Sequence, residues 1–141
     1  MVTITKQTPD FIQIHPLFQQ LWPQKHFDPK KWKHVYEEQI KEGKEYLIAL
    51  DKDTLIGFIN IRFEHGFKDE GKVAFFDEFV VDETWRGKGV GSKLLKEAQS
   101  YMKDKGCKAV YFESAFHRTE SYEFYLKRGF QKVATYFKKT L

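Results

Sequence analysis

The sequence predicts a mixed α/β (α+β) domain of about six strands and four helices, in the order β α α β β β α β α β. Three observations carry this. Short β-branched and aromatic runs alternate with longer stretches of helical periodicity. Start and stop residues bracket the helical stretches. The 141 residues suffice for one domain, spanning 1–141, with a proper core.

Val2–Thr5 (VTIT) reads as a first strand. Pro9 opens a helical stretch carrying Phe11, Ile12, Ile14, Leu17, Phe18 and Leu21, and Pro23 closes it. A second helix is expected from about Pro29 to Glu42. Asp28 is its N-cap candidate, Pro29 stands at the first helical position and Gly43 follows the end. Trp32, Val35, Tyr36 and Ile40 recur there at helical spacing.

Tyr46–Leu50 and Leu55–Phe63 form an expected antiparallel pair, joined by the turn residues DKDT. Glu64–Gly71 reads as a loop. Val73–Val81 (VAFFDEFVV) is a strand without clean alternation, as for one covered on both faces. From about Gly89 to Lys105, Val90, Leu94, Ala98 and Met102 fall on one helical stripe, and Gly106 is a C-terminal stop. Ala109–Phe112 is the next strand. A short helix from about Thr119 to Arg128 ends at Gly129, and Val133–Phe137 (VATYF) is the last strand.

Composition narrows the function. Net charge is +4, but Lys and Arg (24) are nearly balanced by Asp and Glu (20) and form no basic tail, which argues against a nucleic-acid partner. The single cysteine, Cys107, builds neither a disulfide nor a cysteine metal site. The five histidines fall into no ligand spacing, so no metal is expected. Neither a signal core nor an apolar run of membrane-spanning length is evident, so the expected compartment is the cytoplasm, with no membrane partner.

The most informative stretch is Val80–Leu95, VVDETWRGKGVGSKLL. A buried strand ends at Val81, three glycines alternate at 87, 89 and 91, and an amphipathic helix begins among them. Free N–H groups of a first helical turn, approached past small residues, suit a phosphate. Arg86, Lys88 and Lys93 lie where a helix dipole disfavours cations by roughly 0.3–1 kcal/mol each, and a bound pyrophosphate would compensate them. The spacing matches neither a P-loop nor a dinucleotide fingerprint. Taken alone, the turn serves tight packing as well as it serves an anion.

Arg86-Gly87-Lys88-Gly89-Val90-Gly91 resembles the acyl-CoA pyrophosphate loop of the GNAT acetyltransferases, Arg/Gln-x-x-Gly-x-Gly/Ala. Ser121 to Phe130 (SYEFYLKRGF) resembles that family's second signature, Ala-x-x-Phe-Tyr-x-x-x-Gly-Phe. Two departures stand out: His117-Arg118 where the family often has Asn, and Ser121 where it has Ala. The resemblance implies a mostly antiparallel twisted sheet flanked by helices, with a parallel strand pair at the acyl-CoA site. It implies acetyl-CoA as cosubstrate and transfer to an amine. By the same likeness Arg86, Gly87, Lys88, Gly89, Val90, Gly91 and Ser92 bind the pyrophosphate. The backbone of Phe79, Val80 and Val81 pairs with pantetheine, a bulge N–H at Val81 polarises the thioester carbonyl, and Ser121 and Tyr125 lie near the cofactor.

Direct transfer has two proton requirements. An amine of pKa near 10.4 is mostly protonated at pH 7, and neutralising it costs roughly 4–5 kcal/mol, so a base or a desolvating site is needed. The leaving thiolate gains from an acid. Tyr125 matches the family's tyrosine and is the candidate acid, although its pattern alone is that of a core tyrosine. Asp77 and Glu78 interrupt an apolar strand, and buried carboxylates need a partner or a task. Strand alternation lets only one face the acceptor, and Glu78 is the choice. Glu113, at a strand end, is a further candidate. Ion pairing with lysine is the competing role for all three. The expected acceptor is a small-molecule amine. A protein amine, a non-catalytic acyl-CoA-binding module and homodimerisation stay open.

Overall fold

The computed structural model describes residues 1–114 and 119–141. The chain divides into two compact units, Met1–Tyr111 and Phe112–Leu141. His117 and Arg118 lie outside the described residues.

The first unit holds strands β1 (Val2–Lys6), β2 (Glu45–Asp51), β3 (Thr54–Gly66), β4 (Gly71–Val81) and β5 (Val110–Tyr111), with helices α1 (Phe11–Leu21), α2 (Pro29–Lys41) and α3 (Val90–Asp104). The second holds α4 (Thr119–Leu126). The strands form one sheet in the order β1-β2-β3-β4-β5, antiparallel except for the parallel β4–β5 pair. This is the expected mixed fold, with five strands among the described residues.

Local chemistry explains the helix ends. The Asp28 carboxylate accepts from the amides of Lys30 (2.9 Å) and Lys31 (3.4 Å), and Pro29 needs no acceptor. α4 stops at Gly129, whose φ of 87° few other residues accept, with the Phe130 N–H on the Tyr125 carbonyl at 3.2 Å.

Strand alternation sorts the core into two layers. Tyr46, Ile48, Phe58 and Val80 pack with Ile14, Leu17, Phe18 and Leu21 of α1 and with Tyr36 of α2. The other face meets α3, whose Val90, Leu94, Leu95, Ala98 and Met102 are all buried. At Gly57 a Cβ would lie 3.0 Å from the Val80 carbonyl and 3.2 Å from Leu94 Cδ1, so the close approach of α3 requires glycine there.

Two expectations are corrected. The loop expected over Glu64–Gly71 is a four-residue turn, 67–70, because β3 and β4 run on as a ribbon to Gly66 and from Gly71. Val133–Phe137 is not a strand. Val133, Tyr136 and Phe137 are 64%, 77% and 87% exposed, and β propensity has no effect without a neighbouring strand to pack on.

The decisive irregularity is in β4. Ile59 faces Phe79 and Ile61 faces Phe76, so Asn60 stands opposite two residues, Asp77 and Glu78. This is a β-bulge. The Asn60 side chain, fully buried, accepts at Oδ1 from the amides of Glu78 (2.8 Å) and Asp77 (3.3 Å). Replacing Asn60 with Leu deprives both amides of their acceptor, so Asn60→Leu should lower stability by about 2–5 kcal/mol. A urea unfolding curve measures this, and an unchanged midpoint contradicts the capping role.

Candidate active site

Glu78 leaves the bulge half-buried. Its Oε1 accepts from Asn60 Nδ2 at 2.8 Å and lies 3.9 Å from Lys44 Nζ. Burial raises its pKa above the usual carboxylate value; the Asn60 bond and the Lys44 charge pull the other way and are outweighed. Asp77 is differently placed. It pairs with Lys44 Nζ at 2.8 Å and with Arg62 Nε at 3.0 Å, and Arg62 also bonds Glu64.

Lys44 thus reaches both carboxylates. The expectation that alternation sends Asp77 and Glu78 to opposite faces fails, because the bulge suspends alternation at these two residues. Lys44 is itself buried, at 8% exposure. Neither Lys44 nor Asn60 was singled out from sequence, although a lone Asn inside LIGFINIRF is the kind of buried polar residue that signals a partner.

Glu78 opens into a cleft of about 110 Å³ lined by Phe18 of α1, by Trp22 just past its end, and by Trp32, Val35, Tyr36 and Gln39 of α2. The wall is braced from behind: Phe27 stacks on Trp32 at 3.9 Å between centroids, and the Tyr36 hydroxyl donates to the Pro9 carbonyl at 2.5 Å. Phe67 is fully exposed on the β3–β4 turn and lines no part of the cleft.

Past the bulge, β4 presents a backbone edge. The Asp82 N–H donates to the Ile56 carbonyl at 2.8 Å, which makes Val80–Phe58 the next hydrogen-bonded pair and Val81–Gly57 the other kind. The N–H and C=O of Val81 therefore point away from β3. The Val81 carbonyl accepts from Arg86 Nε at 3.1 Å. On that side β5 pairs only with Ala74 and Phe75 of β4. The bulge expected at Val81 lies instead at Asp77–Glu78, where Asn60 supplies the acceptors an extra residue needs. Phe79 is half-buried and Val80 is in the core.

The glycine-rich turn follows a single 3₁₀ turn, Glu83–Trp85. Gly87 and Gly89 have φ of 76° and 84°, and no atom lies within 4 Å of where a Cβ would stand. The first bond closing α3 runs from the Lys93 amide to the Gly89 carbonyl at 3.1 Å, so the amides of Val90 and Gly91 have no acceptor within the helix. Ser92 is the third residue of α3. The turn is open and its amides lead into a helix N-terminus, which fits a pyrophosphate. Its cations are not all free for that purpose. Lys93 Nζ donates to the Val2 carbonyl at 2.8 Å, Arg86 bonds Gln20 as well as Val81, and Lys88 lies 5.2 Å from the Trp85 ring centre.

In the second unit Tyr125 is half-buried on α4, its ring 4.1 Å from that of Phe112 and 5.7 Å from that of Phe130. Ser121, one turn earlier, is half-buried, and Glu113 is exposed outside any helix or strand. Cys107 is half-buried, and burial raises its thiol pKa, which leaves it a poor nucleophile. Among the described residues no His, Cys, Asp and Glu cluster could hold a metal, and no helix is long and apolar enough to cross a membrane.

Comparison with known proteins bears on the family and the fold. The chain is 26% identical over 105 residues to an aminoglycoside N(6')-acetyltransferase type 1 of Stenotrophomonas maltophilia, covering 71% of this chain and 69% of that protein. It is 25% identical over 96 residues to an aminoalkylphosphonate N-acetyltransferase of Salmonella typhimurium, covering 68% of this chain and 62% of that one. Its fold matches an aminoglycoside acetyltransferase from an uncultured soil metagenomic sample with a TM-score of 0.85 at 20% identity, covering 99% and 96% of the two chains. It also matches an aminoglycoside N-acetyltransferase solved in complex with CoA, with a TM-score of 0.81 at 22% identity over 99% and 96%. The sequence profile of the acetyltransferase (GNAT) family matches residues 11–130, and the chain belongs to that family of acetyl-CoA-dependent N-acetyltransferases.

Proposed function

We propose that residues 1–141 act as one acetyltransferase domain that moves the acetyl group of acetyl-CoA directly onto the primary amine of a small molecule, with Glu78 taking the amine's proton. The observation that carries this is Glu78 itself: a carboxylate with a raised pKa, held by Asn60, at the floor of a cleft. Acetyl-CoA supplies the thioester. The open turn from Arg86 to Gly89, with the amides of Val90 and Gly91 and the Ser92 position beyond them, holds its pyrophosphate. The outward N–H of Val81 is the donor for the carbonyl oxygen, and the edge Phe79–Val81 is the surface for pantetheine.

A carboxylate of ordinary pKa is a weak match for an ammonium near 10.4. Raising the Glu78 pKa narrows that gap, and the aromatic cleft disfavours a charged amine, so both sides of the proton transfer move together. Tyr125 is the donor to the leaving thiolate, with Ser121 beside the cofactor. Glu113 has no described partner that supports a role as base, so Glu78 carries that role alone.

Glu78→Gln is close to isosteric and keeps an acceptor for Asn60 Nδ2. It should lower kcat/KM about 10²–10⁴-fold and remove the acid limb of the pH profile. The stability sign is opposite. The folded pKa of Glu78 is raised, so its stabilising contribution is complete below the ordinary carboxylate pKa and is lost as pH rises through the folded value. The Gln variant should therefore gain on the wild type over that window, as read by thermal unfolding between pH 4 and 8. A retained acid limb removes Glu78 as base.

Gly91→Asp places bulk and charge where the pyrophosphate binds, yet an acidic residue in a first helical turn favours the helix by about 0.3–1 kcal/mol. The variant should fold and lose acetyl-CoA binding by calorimetry; undiminished affinity refutes the loop assignment. Tyr125→Phe keeps the ring packing on Phe112 and Phe130. It should cut kcat by about 10²-fold or more while acetyl-CoA affinity stays the same. Unchanged turnover removes Tyr125 as the acid.

A further inference from the structure

The cleft before Glu78 is selective in what it can admit. Its walls are aromatic and aliphatic, with Trp22 41% and Val35 50% exposed at positions a ligand can reach. Glu78, bonded by Asn60 and 3.9 Å from Lys44, is the one carboxylate among its lining residues; the other polar groups of the wall are the Gln39 amide, the Tyr36 hydroxyl and two indole N–H groups. The Tyr36 hydroxyl is spent on Pro9. Asp77, the nearest second carboxylate, is held by Lys44 and Arg62.

A polycation entering such a space would bring several ammonium groups to a single counter-charge. The remaining ammoniums would be desolvated against rings with no partner, which is strongly unfavourable. A monoamine has the opposite balance. Its nitrogen meets Glu78, and an apolar body replaces water on Phe18, Trp22, Trp32 and Val35. Size points the same way. At about 110 Å³ the cleft is smaller than the roughly 150 Å³ cavity that accepts benzene, so it takes a short apolar chain or part of one ring that extends through its open mouth, not a chain of sugar rings.

We propose that the acceptor is a primary monoamine with a single aromatic ring or compact apolar body, and that the cleft discriminates against polycationic aminosugars of the kind named for several relatives. This rests on Glu78 as the point where the amine docks.

The test uses the full chain with 2-phenylethylamine and kanamycin as probes, reading free thiol release and, separately, quenching of tryptophan fluorescence by each amine. The kcat/KM for 2-phenylethylamine should exceed that for kanamycin by about 100-fold. Trp32→Ala should lower the 2-phenylethylamine value about tenfold or more, with KM for acetyl-CoA within about twofold of wild type. Trp32 packs in the core, so Val35→Lys is the second variant. It sits on an exposed helical position, adds a cation at the lip, and should weaken 2-phenylethylamine turnover and binding alike. Preference for kanamycin, or indifference of 2-phenylethylamine to Val35→Lys, overturns the inference and leaves acetyl transfer standing. Saturable 2-phenylethylamine binding weakened by Val35→Lys, without turnover of any amine, supports the cleft assignment and counts against the catalytic one. No 2-phenylethylamine binding at millimolar concentration overturns it.

Discussion

Asn60 has no solvent exposure and satisfies four neighbours at once: two bulge amides at Oδ1, and the Glu78 carboxylate and Tyr46 hydroxyl at Nδ2. The register of β4 depends on it. Phe76 and Phe79 are three residues apart, yet both lie opposite β3 residues of one face, Ile61 and Ile59, and their rings meet at 6.0 Å. Without an extra residue between them, a period of two would send them to opposite faces. Val80 reaches the α1–α2 core only because the bulge has reset the count. The same device that keeps the apolar residues of β4 inside thus sets a carboxylate at the floor of a cleft.

What was legible in the sequence was what local chemistry decides. Asp28-Pro29 fixes the start of α2, and Gly106 and Gly129, at φ of 84° and 87°, stop two helices. The stripe of α3 is buried as its periodicity required. What was not legible depends on partners distant in sequence. Glu64–Gly71 is charged and reads as loop, but pairing across Glu64–Val73 and His65–Lys72 makes half of it strand. VATYF has the composition of a strand, and composition supplies no pairing edge. Alternation assigned one carboxylate to each face, and a bulge in β4, visible only once β3 is alongside, brought both to Lys44.

In the glycine-rich turn the basic side chains make contacts that the sequence did not suggest. Its cations looked like compensation for an anion. Two of them have protein acceptors instead: Lys93 ties α3 to β1 through Val2, and Arg86 ties the turn to the end of β4 through Val81. Gln20 of α1 joins the same knot, accepting from the Glu83 amide and donating to Asp82. These bonds fix the turn in position. On the proposed reading, a phosphate at this turn would be held chiefly by oriented amides at the N-terminus of a fifteen-residue helix, where the backbone supplies the positive potential.

The charges around Glu78 leave burial as the largest influence on its pKa. Lys44 is buried and could pair with either carboxylate; a close ion pair with Glu78 would depress its pKa and hold it deprotonated but weakly basic. Asp77 prevents this by drawing the ammonium to 2.8 Å and leaving Glu78 at 3.9 Å. Arg62, shared with Glu64 and seated 4.1 Å from the Phe75 ring centre, secures Asp77 from the other side. Burial then remains the largest influence on Glu78, and its pKa moves up, not down. Asp77 and Glu78 are adjacent in sequence and chemically alike. The bulge gives one of them the counter-ions and the other the cleft.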